Sequence, residues 1–270
     1  MRRKLSVIIH TYNSEKYLKH VLRSVKFAQE IIVADMGSTD KTVSIAKKFG
    51  AKVLNIKNEG FADPARPKVY KLAQHEYILV LDSDEVVSGE LKKTIETILD
   101  GSDTFAYYIP RLNWMLGVRI NPVRNGAYGY DRQLRLSPNN SLKYSGKVHE
   151  QPEIKSGFVT KELDIEEGHL EHFSHLGSSD IIRRGDTYAF FEAERSIKLG
   201  KSPTIQMYHL GRFVVRWVRA GIYKQGLAGW VYLFTDIIYR ANVMIKIAEY
   251  KKFKPGEIEK LYQEYMGKLK

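Results

Sequence analysis

The sequence predicts an α/β protein: a mostly parallel sheet of repeated strand–helix units, an antiparallel extension, and a helical C-terminal region. Three observations predict it. Short apolar runs at 5–9, 30–34, 51–56 and 77–81 alternate with apolar residues at helical spacing. From Thr104 to Lys161 the pattern changes to short strands and turns rich in Tyr, Trp and Arg. After His175 the chain reads as helix to its end, with breaks at 200–203 and at Pro255-Gly256. The expected division is therefore 1–175, with halves 1–100 and 101–175, followed by 176–270.

The elements follow in order. Leu5 to Ile9 is a buried-type strand, and Leu18, Val21, Leu22 and Val25 mark a helix. Glu30 to Ala34 is a second strand. Ser38 or Thr39 is expected to cap the next helix, with Asp40 in its first turn and Gly50 just past its end. Ala51 to Ile56 is a third strand, Val69 and Leu72 lie on a helix, and Tyr77 to Leu81 is a fourth strand. A helix follows from Gly89 to Leu99. Phe105 to Ile109 and Gln133 to Leu136 read as strands of the extension.

The fourth strand ends abruptly in Asp82-Ser83-Asp84-Glu85. Open α/β sheets bind ligands at the carboxyl ends of their strands. If the chain stays extended, Asp82 and Asp84 leave the same face, and two hard oxygens there suit a divalent cation carrying phosphate oxygens. The bland alternative is a loop in which Ser83 or Asp84 caps the following helix. Three further polar clusters fall at strand ends: His10-Thr11-Tyr12-Asn13, then Asp35 with Gly37-Ser38-Thr39-Asp40, and Arg66 between the third and fourth strands.

Composition narrows the partners. A net charge of +12 favours anionic ones. There is no zinc-finger spacing, RNP-like motif or low-complexity basic tail, so nucleic acid ranks below a nucleotide-sugar or a membrane surface. With no cysteine, thiolate chemistry and disulfides are excluded. The apolar part of the N-terminus is too short for a signal peptide, and no apolar run is long enough to cross a bilayer. The expected location is the cytoplasm, including the inner face of the cytoplasmic membrane.

Val7-Ile8-Ile9-His10-Thr11-Tyr12-Asn13, Ile31-Ile32-Val33-Ala34-Asp35-Met36-Gly37-Ser38-Thr39-Asp40-Lys41-Thr42 and Leu81-Asp82-Ser83-Asp84-Glu85, in this order and spacing, resemble the family-2 inverting glycosyltransferases of the GT-A fold. Within that family the chain is similar to the bacterial lipopolysaccharide-core β-glucosyltransferases, through Gln133-Leu134-Arg135-Leu136, Lys147-Val148-His149-Glu150, Leu170-Glu171-His172 and the region of Gly221, Gly226 and Gly229. Two features depart from the family: His10 stands where a proline or threonine is usual, and Pro64 and Pro67 flank Arg66.

The resemblance implies a Rossmann-like nucleotide-binding sheet and a UDP-sugar donor held with Mg²⁺ or Mn²⁺. It assigns Thr11, Tyr12, Asn13, Asp35, Ser38, Arg66, Asp82, Ser83 and Arg135 to the donor. Asp82 and Asp84 would be metal ligands, and His172 would be a further metal ligand or a diphosphate contact, since an imidazole can ligate a cation or donate to phosphate. The acceptor would be a lipid-linked or lipopolysaccharide-type glycan, or alternatively a protein or peptide. The base that deprotonates it should lie across the cleft: Glu150 first, Asp131 second, against a reading of Glu150 as a surface carboxylate paired with Lys147.

Other readings compete. His169, His172 and His175, three apart, would suit a zinc site on one helical face. Arg132 and Arg135 either clamp phosphates or pair with local acids. Trp114, Tyr128 and Tyr130 either face sugar rings or fill the core. A nucleotidyltransferase should carry a glycine-rich phosphate loop after the first strand, where this chain has His10-Thr11-Tyr12-Asn13. A basic binding module would not need the acidic cluster. Finally, Arg212, Arg216 and Arg219 form a basic helical stripe beside an apolar stripe of Phe213, Trp217 and Ala220, which suits an anionic membrane surface, a subunit contact or packing on the rest of the chain.

Overall fold

The computed structural model describes residues 2–119, 130–146, 151–175, 177–253 and 256–268. The chain forms two compact units, Met1–Trp114 with Gly129–Ser174, and Met115–Tyr128 with His175–Lys270.

The first unit begins with β1 (Leu5–Thr11), α1 (Leu18–Ser24), β2 (Glu30–Asp35), α2 (Thr42–Lys48), β3 (Lys52–Asn55), α3 (Arg66–Tyr70) and β4 (Tyr77–Asp82). Then come β5 (Glu85–Val87), α4 (Gly89–Asp100) and β6 (Phe105–Met115). The two-residue β7 (Val118–Arg119), which falls in the second unit, precedes β8 (Tyr130–Pro138), β9 (Leu142–Lys143), β10 (Glu153–Ile154), β11 (Val159–Glu162) and β12 (Leu170–His175). The main sheet runs β3-β2-β1-β4-β8-β6-β12-β5. The first four strands are parallel, while β8 joins β4 antiparallel with Leu79 opposite Leu136.

The alternation of β1 explains its burial on both faces. Leu5, Val7 and Ile9 join the core formed with Leu18, Val21 and Leu22 of α1, Ala46 of α2, and Leu91, Ile95 and Leu99 of α4. Ile8 belongs to the opposite layer, with Val69 and Tyr70 of α3 and Leu134 and Leu142. At about 25 cal/mol per Å² of apolar area, these two layers dominate the stability of the unit. They fix the carboxyl ends of β2, β1 and β4 side by side, with Thr11 opposite Asp35 and His10 opposite Asp82.

Several local expectations are corrected. Ser38 and Thr39 do not cap α2, which starts at Thr42; both are engaged in the preceding loop. Neither Ser83 nor Asp84 caps α4; the cap is Ser88, whose hydroxyl accepts from Leu91 N–H at 3.1 Å. The acidic turn instead leads into β5, a strand too short to read from periodicity. Leu72 lies beyond α3 and is 45% exposed. The prolines at 64 and 67 are compatible with α3, because a helix tolerates proline in its first turn. Residues 170–175 form β12, antiparallel to β5 with His172 opposite Glu85. Gly168 precedes it at φ +126°, and a Cβ there would fall 2.2 Å from the backbone nitrogen of Leu91, so only glycine lets this loop close on α4.

The second unit contains α5 (Ser178–Lys198), α6 (Ile205–Arg219), α7 (Leu227–Lys252) and α8 (Glu257–Lys268). Ala189 and Ala193 of α5 pack on Val243 and Ile247 of α7. Phe213 and Trp217 of α6 pack with Leu233, and the Trp217 indole donates to the carbonyl of Gly229 at 2.8 Å. The apolar stripe expected to face a membrane is therefore largely core: Phe213 and Trp217 are each 5% exposed. Among the described residues, no helix is long and apolar enough to cross a membrane.

Candidate active site

The loops after β1 and β2 are joined by side chains. Asp35 is 1% exposed. Its carboxylate accepts from Thr11 Oγ1 (3.0 Å), Gly37 N (3.1 Å), Ser38 N (2.9 Å) and Ser38 Oγ (2.5 Å). That occupies its roughly four lone-pair directions, so in this arrangement Asp35 builds the loop. Asn13, at φ 47°, accepts from Thr39 N at 2.8 Å while its own N–H donates to Ser38 Oγ at 2.8 Å. Asparagine tolerates this left-handed geometry better than most residues. Tyr12, 48% exposed, stands at the rim. Ser14 and Ser83 share a 2.7 Å hydroxyl contact that ties the β1 loop to the acidic turn.

Beneath this rim lies a buried charge cluster. Asp82 accepts from Arg66 Nη2 at 2.9 Å and from Arg135 Nη2 at 2.6 Å. The same Arg135 nitrogen reaches Glu85 Oε1 at 2.6 Å, and Arg111 reaches that oxygen at 3.0 Å. Glu85 Oε2 accepts from Asp82 N–H at 2.9 Å. Burial alone would raise the Asp82 carboxyl, but Arg135 and Arg66 hold it well below the usual carboxylate range. The two carboxylates raise the Arg135 guanidinium further against its own desolvation. Glu85 is fully buried and Arg135 is 5% exposed. Arg135 thus organises the strand end, whereas Arg132 pairs with Glu162 and Asp164 near the surface.

The expectation that Asp82 and Asp84 share one face is corrected. The backbone does not stay extended past Asp82; a turn at Ser83-Asp84 separates the two aspartates. Asp82 faces Arg66 and Arg135, while Asp84 Oδ1 lies 3.6 Å from His172 Nε2. Among the described residues, no group of three or more His, Asp or Glu side chains is placed to hold a metal. The Asp84–His172 pair is what remains. Asn113 Oδ1, 2.6 Å from His172 Nδ1, orients that imidazole, and the carbonyl of Asp84 accepts from Phe173 N–H at 3.0 Å. An oxygen and an imidazole nitrogen form a donor set that fits Mn²⁺ better than Mg²⁺.

The helical three-histidine site does not form. His172 lies on β12, and His169, just before the strand, bonds Glu171 at 3.0 Å. Residues three apart on a strand face opposite sides. Trp114 donates to Glu171 at 2.6 Å and stacks on Phe173, which in turn stacks on Tyr17. Glu150 and Tyr128 lie outside the described residues. Asp131 and Tyr130 belong to β8, opposite Arg111 and Leu112 of β6.

His10 stands in the sequence as part of a strand-end cluster and as a departure from the family pattern, with no sign of its burial. It is 4% exposed, and neither ring nitrogen has a hydrogen-bond partner among the described residues. Burial, then the charge of Arg66, lowers its pKa from 6.5 to about 3, so the ring is neutral near pH 7. A folded-state pKa below the unfolded value means the unfolded chain binds the proton first. Stability is then present above pH 6.5 and lost as pH falls towards 3. We expect His10 to contribute about 3 kcal/mol to the difference in stability between pH 7 and pH 4.5. Urea unfolding of the protein and of His10→Thr at both pH values checks this; equal slopes with pH would contradict it.

The strand order, the paired loops and the acidic turn define a GT-A glycosyltransferase core. The chain belongs to glycosyl transferase family 2, whose model matches residues 6–147, more than half of its length. It is 26% identical over 261 residues to the lipopolysaccharide core biosynthesis glycosyltransferase LpsC of Rhizobium meliloti (strain 1021), covering 90% of this chain and 91% of that protein. It is 37% identical over 109 residues to the poly(ribitol-phosphate) beta-N-acetylglucosaminyltransferase TarS of Staphylococcus aureus (strain Mu50 / ATCC 700699), covering 36% of this chain and 19% of that protein. A crystal structure of S. aureus TarS 1-349 in complex with UDP-GlcNAc matches with a TM-score of 0.36 and 31% identity, over 46% of this chain and 37% of that chain.

Proposed function

We propose that the protein transfers a hexose, glucose first among them, from a UDP-sugar to a lipid-linked or lipopolysaccharide-type glycan, inverting the anomeric centre. The observation that carries this reading is the Asp84–His172 pair beside the stitched β1 and β2 loops, at the carboxyl edge of the sheet. Similarity to LpsC over nine-tenths of both chains favours a lipopolysaccharide-type acceptor over a protein one.

The geometry supports the following roles. Tyr12 supplies an exposed ring for the base, and Thr11, Asn13, Asp35 and Ser38 hold the loop that receives the nucleotide. Ser83 positions the acidic turn through Ser14. Arg66, with Asp82 and Arg135 behind it, places positive charge beside the diphosphate. Asp84 and His172 would hold the Mg²⁺ or Mn²⁺, which when bound offsets negative charge on the departing UDP. An acceptor hydroxyl attacks the anomeric carbon as the UDP oxygen leaves, and a carboxylate takes its proton. We assign that proton to Glu150, with Asp131 as the second choice, because a base must lie across the cleft from the leaving group.

The test is a melting-temperature screen with UDP-, GDP- and dTDP-sugars, each with and without Mn²⁺. A ligand at a hundred times its Kd stabilises the folded state by about 2.7 kcal/mol, a rise of roughly 5–10 °C. UDP-glucose with Mn²⁺ should give the largest shift. A larger shift with a GDP- or dTDP-sugar, or none with UDP-sugars at saturating concentration, would overturn the donor assignment.

A further inference from the structure

Helix α7 is 26 residues long, about 39 Å at 1.5 Å per residue. One side packs on α5 through Val243 and Ile247, and another on α6 through Leu233. A third side is open. Leu227 is 75% exposed, Trp230 46%, Phe234 54%, Ile238 51% and Ile245 64%. Spacings of three, four, four and seven put all five on one face, with the exposed Ala241 between the last two. No charged residue interrupts this face from Leu227 to Ile245. Monomeric soluble proteins rarely leave so long an apolar strip uncovered.

The surrounding charge identifies what covers it. Between residues 201 and 256 ten lysines and arginines stand against two acids, Asp236 and Glu249. Asp236 is held by Arg240 at 2.6 Å. Lys224 precedes the strip, and the exposed Lys252 continues its face at the end of the helix. A second copy of the chain would bring this same positive charge against itself. An anionic lipid surface accepts both the apolar side chains and the cations around them. Trp230 and the 39% exposed Tyr223 add aromatic rings of the kind that settle at headgroup depth.

We infer that the Leu227–Ile245 face of α7 lies in the interface of an anionic membrane, with Lys224 and Lys252 against the headgroups. The inference does not depend on the donor assignment. It places the enzyme on the surface where a lipid-linked acceptor is found.

The full chain should co-sediment with vesicles of an equal phosphatidylglycerol–phosphatidylcholine mixture at least about tenfold better than with phosphatidylcholine alone. It should release as salt rises, and its tryptophan emission should shift to the blue on binding. Phe234→Ser with Ile238→Ser, at exposed positions, should weaken binding at least about tenfold and leave the melting temperature and the UDP-sugar shift unchanged. Lys224→Gln with Lys252→Gln should reduce the preference for the anionic vesicles at least about threefold. Equal sedimentation of the protein and the serine variant would overturn the inference. So would a dimer, seen by sedimentation equilibrium without lipid, that the serine substitutions dissolve.

Discussion

Asp84→Asn is expected to lower sugar transfer at least a hundredfold while the protein remains folded. The side chain lies in a turn, 13% exposed, and no apolar core depends on it. Asparagine keeps the shape and the backbone carbonyl that accepts from Phe173 N–H. What it removes is the negative charge facing His172. Several kcal/mol of charge stabilisation at a leaving group rest on such a ligand, and each 1.36 kcal/mol is a factor of ten in rate. The measurement is initial-rate transfer from UDP-glucose across a Mn²⁺ titration, beside thermal unfolding without ligand. Unchanged turnover at saturating Mn²⁺ would remove Asp84 from the site.

Arg135→Leu should act differently, through stability first. The guanidinium bridges Asp82 and Glu85, and its loss leaves Arg111 as the one cation paired with the fully buried Glu85 among the described residues. Removing one partner from a buried ion cluster typically costs about 3–5 kcal/mol, because the charge left behind is incompletely compensated. Arg132→Leu is the control. Its partners Glu162 and Asp164 are largely exposed, and surface pairs are worth roughly 0–1 kcal/mol. Urea unfolding of the two variants should separate them by several kcal/mol. Equal midpoints would mean that the cluster carries no net stability.

These two arginines, three residues apart, show where the sequence was legible and where it was not. Both stand in one β-strand beside acids, and their local patterns give no hint that one is buried in an ion cluster and the other is not. Burial depends on which strand β8 joins, and the pairing of β8 with β4 is a long-range event without a local signal. The parallel half was readable because each strand, buried on both faces, carries an uninterrupted apolar run. The short β5 and the polar β12 lack such runs and went unseen.

The acidic turn was found from its position at a strand end, but its internal geometry was not. Asp82 and Asp84 would share a face only on extended backbone, and the chain turns at Ser83-Asp84 instead. His172 is legible as a candidate ligand from its imidazole, but nothing local shows that it meets Asp84. The apolar run from Leu227 to Tyr239 is plain in the sequence, but which side of helix α7 stays exposed is not. Its buried and exposed sides are both apolar, so periodicity could not tell them apart.

The stitching of the first two loops has a consequence for anyone altering donor preference. Asn13 serves Ser38 and Thr39, Glu15 accepts from the backbone of Lys41, and Asp40 accepts from the backbone of Glu15. A graft of 12–15 from another enzyme, without its 35–42, strands amides that have no other partner in the loop. The two segments behave as a single cassette, and swapping them together is the route by which a new nucleotide could be accommodated without melting the rim.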